Sequence, residues 1–127
     1  MIICIPIAPS TKKNSNQIVK VRGRYIVVPS AKYKKFEKDC KPFMPEMDEP
    51  INEPVNVCCT YYMPTKRRVD LVNLQEATLD ILVKYGVLED DNSSIVVSMN
   101  GSRVNYDKEN PRSEIIITPI NRSREGG

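Results

Sequence analysis

The chain contains no histidine. That absence removes Ser-His-Asp and Cys-His nucleophilic catalysis, HExxH zinc sites and two-finger zinc modules together. Any chemistry must then be carried by carboxylates, lysines or a bound metal. The four cysteines, Cys4, Cys40, Cys58 and Cys59, include no CxxC pair, and the adjacent two point to opposite sides of a strand. They read as buried free thiols in a reducing compartment, so a cytoplasmic location is expected. No apolar run approaches the roughly twenty residues needed to cross a bilayer. Met1 to Ile7 has no basic stretch ahead of its apolar residues and is too short for a secretory core. A soluble protein with no signal peptide and no membrane partner is the expectation.

Acidic residues are also missing from the first 35 positions, which carry Lys12, Lys13, Lys20, Arg22, Arg24, Lys32, Lys34 and Lys35. The acids resume abruptly with Glu37, Asp39, Glu46, Asp48, Glu49 and Glu53. A net charge of +3 is too modest to argue for nucleic acid by itself. Its uneven distribution is the stronger signal, because a basic face suits a polyanion. At 127 residues the chain is long enough for one continuous core and short for two, so a single domain over 1–127 is expected.

Along the chain, residues 2–7 form a short apolar segment that Pro6 restricts to an edge strand or to a strand that ends early. Gln17 to Val21 and Tyr25 to Val28 flank Arg22-Gly23-Arg24 and read as a hairpin with a basic tip. Ser30 is a candidate N-cap for a helix lasting to about Lys41, where Pro42 stops it. Residues 42–54, with four prolines and four acids, have no periodicity and read as a Pro-rich acidic connector or mobile loop. Val55 to Met63 alternates as a half-buried strand. A helix follows from Asp70 to Gly86, with Leu71, Leu74, Thr78, Ile81, Leu82 and Tyr85 on its core stripe and Val72, Asn73, Glu76, Asp80 and Val83 opposite. Ser94 to Met99, Arg103 to Tyr106 and Glu114 to Ile120 read as strands, and 121–127 as a frayed tail. The order implies an α/β fold with a mixed sheet and two main helices.

Two groups of residues bear on chemistry. Lys66-Arg67-Arg68 runs directly into Asp70, and Glu89-Asp90-Asp91 follows the same helix. Basic residues hold phosphodiester oxygens, and carboxylates from separate segments hold a hard divalent cation. The ordinary readings are an exposed basic loop, a helix cap at Asp70 and a solvated turn at 89–92. A sixteen-residue helix spans about 24 Å. Asp70 and Asp91 therefore meet only if the chain after Gly86 folds back, or if two copies join.

The block KRRVDLVNLQEATLDILVKYGVLEDDNSSIV, residues 66–96, resembles the core of RusA-family Holliday junction resolvases: basic residues, D-L-D-N-L, an amphipathic helix, Gly and a D-D turn. Pro9 with Lys12-Lys13-Asn14-Ser15, Gly101-Ser102-Arg103, and Asp107-Lys108-Glu109-Asn110-Pro111-Arg112 are similar to forms found in Gram-positive bacteria and their prophages. The resemblance implies an intertwined α/β homodimer, dependent on Mg²⁺ (Mn²⁺ as a substitute), that binds four-way DNA junctions by structure and nicks two opposing strands in recombination and repair. It places catalytic carboxylates at Asp70, at position 72 and at Asp91, with Asp90 beside it.

Position 72 is instead Val, and position 76 is Glu where the family commonly has Lys. On a helix Glu76 lies one turn beyond Val72 and about 40° around, so its side chain reaches toward the same region. Glu76 is therefore expected to replace the missing carboxylate, giving Asp70, Asp91 and Glu76 as metal ligands. Lys12, Lys13, Lys66, Arg67 and Arg68 are expected to bind backbone phosphates, Asn14 and Asn73 to orient the site, and Arg103 and Arg112 to add phosphate contacts. Two other readings remain. One is a branched-DNA binding protein whose nuclease has weakened through Val72. The other is an interaction protein that docks a partner on its acidic connector.

Overall fold

In the computed structural model, which describes residues 1–12, 16–29 and 31–121, the central strand is β4, Val55–Met63. Its alternation is what the sequence demands: Val55, Val57, Cys59 and Tyr61 are buried, while Asn56, Cys58, Thr60 and Tyr62 are half-buried on the other face. β7, Arg112–Pro119, pairs with β4 antiparallel, and β1, Ile2–Ile5, adds antiparallel to β7 as the edge that Pro6 implied. On the far side, β5 (Val96–Ser98) and β6 (Arg103–Tyr106) both run parallel to β4, one along its start and the other along its end. The sheet is therefore mixed, as expected, and its second edge is a single interrupted strand.

The interruption is built by side chains. Asn56 Oδ1 accepts from Ser98 Oγ at 2.5 Å and from the Asn100 backbone N–H at 2.8 Å, while its Nδ2 donates to the Asn100 carbonyl at 3.2 Å. Ser102 Oγ accepts from the Cys59 N–H at 3.0 Å. These bonds satisfy backbone groups that a continuous ladder would otherwise have paired. Gly101, at φ +88°, fits because a Cβ there would stand 3.0 Å from the Cys58 sulfur.

Two helices cover one face. α1, Ala31–Cys40, buries Tyr33, Phe36 and Cys40, and a 3-10 turn over Lys41–Phe43 follows where Pro42 ends it. α2, Leu71–Lys84, buries Leu74, Ala77, Thr78, Ile81 and Leu82 into the same core as Ile3, Ile115 and Ile117. Tyr61 Oη and Thr78 Oγ1 are 2.7 Å apart, and Thr78 Oγ1 donates to the Leu74 carbonyl at 2.9 Å, so the polar groups beneath α2 are partnered. The far end of α2 is tied to α1: Tyr85 Oη donates to the Glu37 carbonyl at 2.8 Å and Lys84 pairs with Glu37. Gly86 takes φ +75° just past the helix, the conformation expected of it.

β2 (Asn16–Val21) and β3 (Arg24–Pro29) form the expected hairpin as a separate two-stranded sheet. Arg22 (φ 51°) and Gly23 (φ 78°) both take positive φ, the pattern of a two-residue turn that matches strand twist. Ile18, Val27 and Tyr25 share one face through the pairs Ile18↔Val27 and Lys20↔Tyr25, and Ile18 and Tyr25 are each 73% exposed.

Several expectations change. The 42–54 connector is pinned: the Ile51 N–H donates to the Val87 carbonyl and the Glu89 N–H to the Ile51 carbonyl, both at 2.9 Å, and Met44 and Ile51 pack on the core. Asn73, placed on the outer stripe of α2, is buried, and Val83 packs against the core, because α2 sits deep enough for the core to reach its flanks. Cys4 is exposed on the open face of the sheet, so only Cys40 and Cys59 are fully buried; all four thiols are free. The proposed cap Ser30 and the tail from 122 lie outside the described residues. No helix among the described residues is long and apolar enough to cross a membrane.

Candidate nuclease site

Asp70 occupies the N-cap position of α2, yet its side chain makes no capping bond to the helix backbone. Its Oδ2 accepts instead from Asn73 Nδ2 at 3.2 Å. The ordinary structural role of an Asp at this position is thus not the one it plays. Asn73, largely buried on the first turn, thereby holds the carboxylate away from the helix backbone.

The basic residues before Asp70 border an open cleft of about 530 Å³, lined by Thr11, Lys32, Thr65, Arg67 and Arg68 among others. Arg67 and Arg68 are exposed and have no ion-pair partner among the described residues. Lys66 lies over the Tyr106 ring at 5.3 Å, at the end of the interrupted edge strand. This stretch is an unneutralised cationic rim at the start of α2, where the helix dipole adds a further partial positive charge.

The other expected cations differ. Arg112 is held 2.9 Å from Asp107 and 3.4 Å from Glu114, with its guanidinium 3.7 Å from the Tyr62 ring centroid. The hydrogen bond to Asp107 raises the Arg112 pKa and lowers that of Asp107. Arg112 therefore braces the β6–β7 connection. Arg103 is exposed, with Nε 3.4 Å from the Gly101 carbonyl. Lys12 pairs with Asp80 at 2.9 Å. Lys13 and Asn14 lie outside the described residues.

The acids after α2 divide between two roles. Asp90 accepts from the Asp91 N–H at 2.8 Å and from Asn92 Nδ2 at 3.0 Å, and these bonds lower its pKa. Both its oxygens shape the turn. Asp91 goes the other way: partial burial, then the hydrogen bond and charge of Asp90, raise its carboxyl, with Asp80 adding to the rise.

Glu76 is exposed and borders a cavity of about 20 Å³ with Lys12, Asn73, Ala77 and Asp80. Val72 is 62% exposed, an apolar side chain on the surface of the first turn. Among the described residues, no three Cys, Asp or Glu side chains stand close enough together to hold a metal ion. Asp70 at the start of α2, Glu76 on it and Asp91 in the turn beyond it therefore do not converge into a three-acid cage in a single copy.

The residue that sequence reasoning left without a role is Asp80, although it falls on the same stripe as Asn73 and Glu76. A search of curated proteins finds no match. A scan of protein-family models matches residues 6–118 to the family described as "RusA: Endodeoxyribonuclease RusA", a span that includes the cationic rim, Asp70 and the acidic turn. By that match, across nearly its whole length, the chain belongs to the RusA endodeoxyribonuclease family.

Proposed function

We propose that the protein is a structure-selective endonuclease that resolves four-way DNA junctions by paired nicks, acting as a homodimer with Mg²⁺ or Mn²⁺. Membership of an endodeoxyribonuclease family supports the reaction class. The observation on this chain that carries it is Asp70: a carboxylate relieved of capping, oriented by Asn73, two residues beyond an arginine pair that no described acid neutralises.

Hydrolysis of a phosphodiester joins a water oxygen to phosphorus and breaks the bond to one ester oxygen. Arg67, Arg68 and Lys32 bind the non-bridging oxygens and offset the charge that grows on them. Asp70 and Asp91 are the carboxylates left for the reacting water, since Asp90 is spent on its turn. A divalent ion supplies Lewis acidity and a more acidic bound water when present. Asp70, Glu76 and Asp91 are its proposed ligands, and they do not form a three-acid group in one copy.

The homodimer is supported by the β2–β3 hairpin, whose exposed Ile18, Tyr25 and Val27 are poorly suited to remain in water. A second reading, a junction-binding protein with weakened cleavage, is favoured by exposed Val72 at the position of a family carboxylate.

The test is a synthetic four-way junction incubated with wild type, Asp70→Asn and Asp91→Asn, with Mg²⁺, Mn²⁺ or chelator. Paired nicks in wild type are expected, lost with chelator and reduced at least about a hundredfold in Asp70→Asn. Tight junction binding without nicks under either metal would select the second reading.

A further inference from the structure

Along one side of α2 run Asp70, Asn73, Glu76 and Asp80, and beyond Asp80 lies Asp91. A stripe of four carboxylates repels a phosphodiester unless a cation interrupts it. One does. Lys12, arriving from the segment after β1, places its ammonium 2.9 Å from Asp80 and lines a small cavity with Asn73, Glu76 and Ala77. The same ammonium stands 5.7 Å from the centroid of the Tyr33 ring, which is buried on α1.

We propose that Asp80 is a positioning residue for Lys12, fixing its ammonium beside the α2 surface that carries Asn73 and Glu76 so that it meets the phosphodiester already aimed. The proposal rests on the endonuclease reading above and goes beyond it, because Asp80 and Tyr33 have no part in that reading.

Two arguments separate this pair from an ordinary surface ion pair. Lys12 and Asp80 retain 44% and 41% side-chain exposure, so the contact contributes little to stability. Yet it joins segments 68 residues apart and is backed on one side by an aromatic face, which orients an ammonium that would otherwise sample many rotamers. Unlike an enclosed guanidinium, the half-exposed Lys12 ammonium has three N–H donors, so it donates to a phosphate oxygen with those not directed at Asp80.

The experiment compares wild type, Asp80→Asn, Asp80→Glu, Lys12→Ala and the Lys12→Ala/Asp80→Asn double variant. Cleavage of a four-way junction is measured at saturating enzyme, with junction Kd and melting temperature measured alongside. Asp80→Asn is expected to slow cleavage about tenfold, change Kd less than threefold and leave the melting temperature within about 2 °C. Asp80→Glu should recover most of the rate, and the double variant should be no slower than Lys12→Ala, since the two residues act as a unit.

Acylation of lysines by an N-hydroxysuccinimide ester, read by peptide mass spectrometry, tests the geometry without any activity. Lys12 should be modified more slowly than Lys66 in wild type and equally fast in Asp80→Asn. Faster cleavage or tighter binding in Asp80→Asn would overturn the proposal, because Asp80 would then be only a repelling surface acid. Additive effects in the double variant would overturn it as well. If wild type binds junctions but never cuts them, the cleavage reading fails by itself. The lysine-reactivity difference and non-additive Kd values then decide the pairing, and their absence sinks it.

Discussion

Two groups of arginines at the C-terminal end of β4 treat positive charge in opposite ways. Near the β6–β7 connection, Arg112 is enclosed by Asp107, Glu114 and the Tyr62 ring, its charge met from three sides. In the loop that leaves the end of β4, Arg67 and Arg68 face an open cleft with no acidic partner among the described residues. An arginine already neutralised has little to offer a phosphate. The difference separates arginines that hold the protein together from arginines available to a polyanion.

The sharpest way to break that comparison is to remove the unpaired set. Arg67→Ala combined with Arg68→Ala is expected to weaken junction binding at least about tenfold at physiological salt and to reduce the slope of log K against log salt by about 2. Fluorescence anisotropy across a salt series checks both. An unchanged slope would mean that the open cleft does not receive DNA.

A smaller and different effect is expected from Arg112→Ala. Junction affinity should stay within about twofold, while thermal denaturation shifts down by no more than a few degrees. A large affinity loss with no thermal shift would reverse the assignment of the two arginine sets.

The smallest effect is in pH. Asp107 has its pKa lowered from 3.8 by the hydrogen bond from Arg112, so it stabilises the fold above the unfolded value and loses that contribution as pH falls through the lower folded one. The melting-temperature gap between wild type and Arg112→Ala should therefore narrow below about pH 4. A gap constant from pH 7 to pH 3 would show that the aromatic contact, not the ion pair, carries the brace.

Much of the architecture was legible because its signals are local. The alternation in Val55 to Met63, the turn chemistry of Arg22-Gly23 and the stop at Gly86 each depend on residues a few positions apart. Asp70 was legible as a candidate, but whether its carboxylate would cap α2 or turn away is decided by Asn73, whose burial the periodicity did not reveal. The pinned connector depends on Ile51 meeting Val87 and Glu89, and the Lys12–Asp80 pair joins positions about half the chain apart. Neither leaves a periodic trace. Val72 and Glu76 were visible as departures from a familiar pattern, whereas the company Glu76 keeps with Lys12 required coordinates.

The broken strand beside β4 also limits how another chain can add to the sheet. An uninterrupted outer strand offers a row of unsatisfied amides that a stray chain can extend. Here that margin is split into two short strands, with Ser102 satisfying the β4 amide of Cys59 where β5 gives way to β6, and the opposite border, β1, is only four residues long and ends before Pro6. Growth of the sheet sideways is thereby discouraged, while exposed apolar side chains stand on the ribbon of β2 and β3 and on the uncovered face that carries Ile2 and Ile116.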